Sequence, residues 1–304
     1  MRRLIVLPAL LATAALAAQQ RGPIQIVVPV ISVPVTVLDG RGRFVAGLKQ
    51  ADFDVLEDGL AQELTSFSLS ESGIAAELLL DVSGSMTARL DEAKRAASQF
   101  VRQMAPKDVA KVLQFDEKVT PLSDFSSDKV LLEAAIHKAR VGGATALRNA
   151  LWTALADLEA RKANDEAEQR HRAIIVLSDG DDTASAVAPD EVISRARSVD
   201  AMIYSLSLDR VSGRPVTDGS SAVFLRELAS QTGGALFFPE LSDLPKIYRQ
   251  VADELRNQYV LGYVPSNPNP RGRWRTIAVR VKNRTNLRLR HRLGYFGSSV
   301  RASQ

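Results

Sequence analysis

The chain has 304 residues, with 39 Lys and Arg against 35 Asp and Glu, and it contains no cysteine. Without cysteine there is no disulfide and no lipid-anchored cysteine, so packing alone must hold the fold together. A hydrophobic fraction of 45% and a charged fraction of 24% are those of an ordinary globular protein, and the length leaves room for more than one domain.

Met1-Arg2-Arg3 followed by the apolar run Leu4 to Leu16 has the layout of a signal peptide over residues 1–17. Ala15-Leu16-Ala17 offers small residues for cleavage before Ala18, which predicts a secreted or periplasmic protein. The run is too short to span a bilayer, and no later segment reaches the length a transmembrane helix requires.

Residues 24–72 read as an N-terminal β segment. Ile24 to Leu38 is rich in Val and Ile, Pro29 and Pro34 mark bends or an edge strand, and Val33, Val35 and Val37 alternate with polar or proline positions. Asp39-Gly40-Arg41-Gly42 supplies turn chemistry before Phe44-Val45 resumes a strand. Phe53 to Gly59 and Glu63 to Ser68 predict a further hairpin. Asp54, Glu57 and Asp58 lack the spacing of a calcium-binding loop and read as turn and surface acids.

From Ile74 the pattern changes to alternating strands and helices, which predicts an α/β fold: a doubly wound, mostly parallel sheet covered on both faces over residues 74–252. Strands are expected at 74–80, 109–115, 174–177, 202–208 and 236–238. Leu90, Ala93, Ala97, Phe100 and Met104 form the apolar stripe of the first helix, which Pro106 ends. Further helices are expected at 130–139, 145–158, 189–199, 221–231 and 243–256. The charged stretch Arg161 to Arg172 reads as a solvated helix end or loop.

Two of the apolar runs end in carboxylates. Asp81-x-Ser83-x-Ser85 follows the first, and Asp179 follows Ile174 to Leu177, while Thr145 opens a helix after Gly142-Gly143. In open α/β sheets ligands bind at the carboxyl ends of strands. One carboxylate and two hydroxyls at the first end, with a hydroxyl and a carboxylate from the other two segments, are oxygen donors suited to a hard divalent cation. The bland alternative is helix capping by the same residues. Asp181 and Asp182 fit capping or loop solvation better than a metal role, Ser178 reads as structural, and Gly142 and Gly143 as a tight backbone turn.

Asp81, Ser83, Ser85, Thr145 and Asp179 resemble, in type and order, the metal-ion-dependent adhesion site of von Willebrand factor type A domains. The resemblance spans roughly residues 74–252 and implies the Rossmann-like fold of that family. It also implies that Ser83, Ser85 and, in one state, Thr145 contact Mg2+ (or Mn2+ or Ca2+) directly, and that Asp81 and Asp179 act largely through water. The ion would then accept an Asp or Glu from a protein partner. The segment Asp52 to Gly59 and the tail segments Gln258 to Tyr263 and Arg292 to Phe296 are similar to the bacterial VWFA-related group described especially from acidobacteria. The function this implies is adhesion or protein interaction. The alternatives are a magnesium-dependent phosphoryl-transfer hydrolase, for which Asp81 would be the nucleophile, and a metal-free structural scaffold.

Enzymatic machinery is otherwise missing from the sequence. His137, His171 and His291 pair with no nucleophile at recognisable spacing, and there is no Gly-x-Ser-x-Gly elbow, P-loop or dinucleotide-binding turn. After Glu254 no acidic residue remains. Residues 255–297 therefore read as a basic C-terminal hairpin, Ile277 to Lys282 pairing with Leu287 to Leu293 across an Asn283 to Asn286 turn, packed beside the N-terminal strands. Its basic face leaves room for contact with an anionic surface, whereas nucleic acid is not an expected partner of an exported protein.

Overall fold

The computed structural model describes residues 30–69, 72–162, 164, 170–211, 214–267 and 272–297. The expected signal peptide lies outside these, as do Pro29, Pro268 and Pro270.

In chain order the first strands are β1 (Ile31–Leu38), β2 (Phe53–Glu57), β3 (Leu60–Gln62) and β4 (Leu64–Leu69). Next come β5 (Gly73–Asp81), α1 (Leu90–Arg102), β6 (Val109–Phe115), β7 (Val119–Pro121), α2 (Lys129–Lys138) and α3 (Leu147–Ala160). They are followed by β8 (Arg170–Ser178), α4 (Pro189–Val199), β9 (Met202–Ser207) and the short pair β10 (Arg210–Val211) and β11 (Arg214–Pro215). The rest is α5 (Ser220–Thr232), β12 (Ala235–Phe237), α6 (Leu244–Arg256), β13 (Tyr259–Tyr263), β14 (Trp274–Val281), β15 (Arg288–Arg290) and β16 (Gly294–Phe296).

The central sheet has the order β12-β9-β8-β5-β6-β7, and every pairing is parallel except that of β7 with β6. Every residue of β5 is buried, as a strand covered on both faces requires. Leu78 and Leu80 face one apolar layer with α1, α2 and α6, and Leu79 faces the other with α3, α4 and α5. The alternation of β5 thus feeds two cores at once, the expected doubly wound arrangement. Asp128 starts α2 by accepting hydrogen bonds from Val130 N at 2.9 Å and Leu131 N at 3.2 Å.

The segments before and after this domain form two four-stranded antiparallel sheets, β15-β1-β13-β4 and β16-β14-β2-β3. Val33, Val35 and Val37 of β1 share one core with Phe53, Val55, Tyr259, Leu261, Ile277 and Val279. Pro34 is tolerated because β1 has a single neighbour there: β13 pairs with residues 31–35 and β15 only with 36–38. The α/β domain leaves this sandwich after β4 and returns at β13, where Tyr259 lies directly opposite Leu69.

Four expectations need correction. The turn at Asn283 to Asn286 does not join a hairpin: β14 pairs with β2 and β16, while β15 pairs with β1 in the other sheet, so the chain turns a corner. The early hairpin is β2 with β3, reversing at Asp58 and Gly59, both at positive φ, and β4 crosses to the other sheet. Glu57 is no surface acid, being 3% exposed in the sandwich core. Arg170 to Arg172 belong to β8 rather than to a solvated loop, and Arg172 is buried. In the two pairing errors alternation fixed which face a residue takes but not which strand lies beside it, while Glu57 and Arg172 are charges that burial alone takes inside. The basic C-terminal face is also partly neutralised by acids from elsewhere: Lys282 pairs with Asp54, Arg290 with Glu254 and Arg292 with Asp200.

Candidate metal centre

Strands β5 and β8 are parallel neighbours, so their carboxyl ends deliver Asp81 and Ser178-Asp179 side by side. Ser178 Oγ donates to Asp81 Oδ2 at 2.5 Å, and Ser83 N donates to Asp81 Oδ1 at 2.8 Å. Ser83 Oγ lies 3.1 Å from Ser85 Oγ, which donates to Asp179 Oδ1 at 2.6 Å. Five residues, from the two strand ends and the loop after β5, are thus linked in one hydrogen-bonded series, with the Ser83 backbone N–H making one of its links. Ser178 is structural in a definite sense: it fixes the rotamer of Asp81.

The loop before α3 is tied to both strand ends through backbone. Gly84 N donates to Gly143 O at 2.9 Å and Gly142 N to Val82 O at 2.6 Å. Thr145 O accepts from Thr183 N at 2.9 Å and Ala184 N at 3.0 Å, which links it to the segment after Asp179. Thr145 is 5% exposed and Asp81 wholly buried, so the cluster lies just below the surface. The glycines serve close approach rather than unusual dihedrals: a Cβ on Gly142 would overlap the Asp116 carboxylate, and Ala146 N donates to Asp116 O at 2.7 Å.

Burial pushes the Asp81 carboxyl above its ordinary range, opposed by the hydrogen bonds from Ser178 and Ser83. Asp179 makes an ion pair with Arg89, whose guanidinium contacts Oδ2. Arg89 is the residue that sequence reasoning missed. It lies in the turn before α1, and nothing in its spacing from Asp81 marks it. Asp116, which braces the Gly142-Gly143 turn, is likewise unmarked by any spacing. Asp181 accepts from Ser221 N at 3.3 Å at the start of α5, and Asp182 accepts from Arg148 N at 2.7 Å at the start of α3. Both therefore cap helices.

Among the described residues no three His, Cys, Asp or Glu side chains converge as a metal cluster. The set at the strand ends is instead two carboxylates and three hydroxyls, all hard oxygen, with neither imidazole nor sulfur. That chemistry fits a divalent cation of the magnesium type, which retains several waters and needs few protein ligands.

Residues 78–181 match the family model for the von Willebrand factor type A domain. A search of curated proteins finds no match. Among solved structures, the chain is similar to a von Willebrand factor type A protein from Catenulispora acidiphila. The two share 13% identity over 86% of this chain and 73% of that one, with a TM-score of 0.50. An aerotolerance-related membrane protein from Bacteroides fragilis aligns at 19% identity over 60% of this chain and 98% of that one, with a TM-score of 0.47. Proximal thread matrix protein 1 from the mussel byssus, solved with a zinc-occupied metal-ion-dependent adhesion motif, aligns at 17% identity over 66% and 49%, with a TM-score of 0.48. The family match begins in the strand that ends at Asp81 and closes just past Asp179, and the surrounding sheet has the expected α/β order, so this chain carries a von Willebrand factor type A domain.

Proposed function

We propose that the protein is an exported, non-enzymatic interaction module that binds a partner's Asp or Glu through a divalent cation. The cation would be held by Ser83, Ser85 and Thr145, with Asp81 and Asp179 behind them. The observation that carries this reading is the continuous series from Ser178 through Asp81, Ser83 and Ser85 to Asp179. Helix capping does not require such a series. A bound divalent ion supplies a hard Lewis-acid centre able to accept one further carboxylate.

Charge explains why a partner carboxylate would be attracted. Two acids alone only neutralise a divalent ion. Arg89, already paired with Asp179, adds a positive charge, so the loaded site is left electrophilic. Ser178 holds Asp81 in place, and Asp116 holds the Gly142-Gly143 turn that positions Thr145.

Export rests on the sequence of residues 1–17; among the described residues no helix is long and apolar enough to cross a membrane. Isothermal titration of Mg2+ or Mn2+ into the protein should give one saturable site that Asp81→Ala abolishes with circular dichroism unchanged. Immobilised protein should then capture a partner from a surface or periplasmic extract in Mg2+ and release it in chelator. Equal capture with and without chelator would sink the adhesion reading in favour of a scaffold. Turnover of a simple phosphate ester, lost in Asp81→Ala, would replace it with the hydrolase.

A further inference from the structure

The opposite rim of the central sheet carries a second polar site of reversed charge. Strand β8 ends at the metal centre and begins about 26 Å away, at roughly 3.3 Å per residue. There it enters a cavity of about 320 Å3 between the α/β domain and the sandwich. Arg170, Arg172 and Arg292 line it with Asp200, and Arg172 and Arg292 both turn to that carboxylate. The volume lies at the small end of the range for ligand pockets.

Arg172 and Arg292 are held but not satisfied. Arg172 Nη2 lies 3.4 Å from Asp200 O and 3.8 Å from Asp200 Oδ2, while Arg172 Nε and Nη1 have no hydrogen-bond partner. Its side chain is only 6% exposed. Arg292 bonds to Ser32 O at 2.6 Å and Asp200 Oδ1 at 2.8 Å, and its Nε is likewise without a partner. A guanidinium buried with idle donors is costly unless an acceptor meets it. Asp200, placed by a left-handed backbone turn at the end of α4, turns one oxygen to each arginine and leaves Nε and Nη1 of Arg172 and Nε of Arg292 unmet.

The histidines of the cavity add little charge. His291 accepts from Val279 N at Nε2 and faces its neighbour's carbonyl, Arg292 O, through Nδ1, the pattern of a neutral ring. Burial holds both His171 and His291 below their ordinary values. Arg172 and Arg292 therefore outnumber the one carboxylate they share, and guanidiniums match oxoanions through paired N–H donors.

We propose that this inter-domain cavity binds a small oxoanion of the phosphate type, seated between Arg172 and Arg292. The site is independent of the metal centre, so its test is run in chelator. Inorganic phosphate is titrated calorimetrically into the full chain at constant ionic strength, with sulfate as competitor and chloride as control. Saturable binding is expected, with sulfate competing. Arg172→Gln should weaken it at least tenfold. Because Arg172 is buried, Ser32→Glu provides a second arm: Ser32 is exposed at the cavity mouth, and a carboxylate there should abolish binding without disturbing the core. Phosphate heat no greater than that of matched chloride, or wild-type affinity in Ser32→Glu, would overturn the proposal.

Discussion

Two buried glutamates, one in each half of the molecule, show how differently the same side chain can be accommodated. Glu57, in the sandwich, is 3% exposed and fully engaged: Tyr263 and Tyr295 hydroxyls each donate to Oε2 at 2.7 Å, and Arg275 forms an ion pair with Oε1. Glu77, in the middle of β5, is wholly buried and neither of its oxygens has a hydrogen-bond partner. Its cross-strand neighbour Lys111 is committed to Asp157. The sandwich thus uses its carboxylate as a joint between β2, β13, β14 and β16, whereas the α/β domain carries one that burial penalises. A buried charge contributes through its partners and not through its presence.

Removing the cation from the satisfied glutamate should have the largest effect on stability. Arg275→Leu strips buried Glu57 of its ion-pair partner and is expected to cost about 3–5 kcal/mol in denaturant unfolding. An unchanged midpoint would mean that the two tyrosines suffice. Tyr295→Phe removes one hydrogen bond to the same carboxylate and should cost about 1.5–3 kcal/mol.

The unsatisfied glutamate should respond in the opposite sense. Glu77→Leu is expected to stabilise the protein by about 1–3 kcal/mol, since it removes two buried acceptors that have no donors. Burial first, then repulsion from Asp157, pushes the Glu77 carboxyl from 4.5 up to about 9, against the pull of Lys111. The folded state therefore holds a proton that the unfolded state releases, and stability is fully present below about pH 4.5 and declines as pH rises towards 9. Unfolding midpoints measured from pH 5 to 9 should fall in the wild type and flatten in Glu77→Gln. At the weak end, Lys282→Ala breaks an exposed pair with Asp54 and should change stability by at most about 0.5 kcal/mol.

These contrasts also mark how far the sequence could be read. The apolar runs before Asp81 and Asp179 end where the strands end, so the strand-end acids and the order of the α/β elements were legible. Thr145 could be placed because a loop and a helix start flank it. Glu77 sits inside the run Ile74 to Leu80 and was read with it as part of a buried strand, because burial of a lone charge leaves no periodic signature. Arg89, Asp116 and the cluster around Glu57 depend on contacts between residues far apart in the chain. Strand pairing in the sandwich was hidden for the same reason: alternation specifies a face, and the corner at Asn283 to Asn286 resembles a hairpin turn until its flanking strands are seen in different sheets.

The register of Leu69 against Tyr259 has a practical consequence. Antiparallel partners sit only about 4.5–5.5 Å apart. A tight reverse turn of two residues could therefore splice β4 to β13 in place of residues 70–258. The sandwich would then be a scaffold closed by a clasp, and the whole α/β domain a detachable head whose Asp81 rim lies at the far end of β5 from its neck.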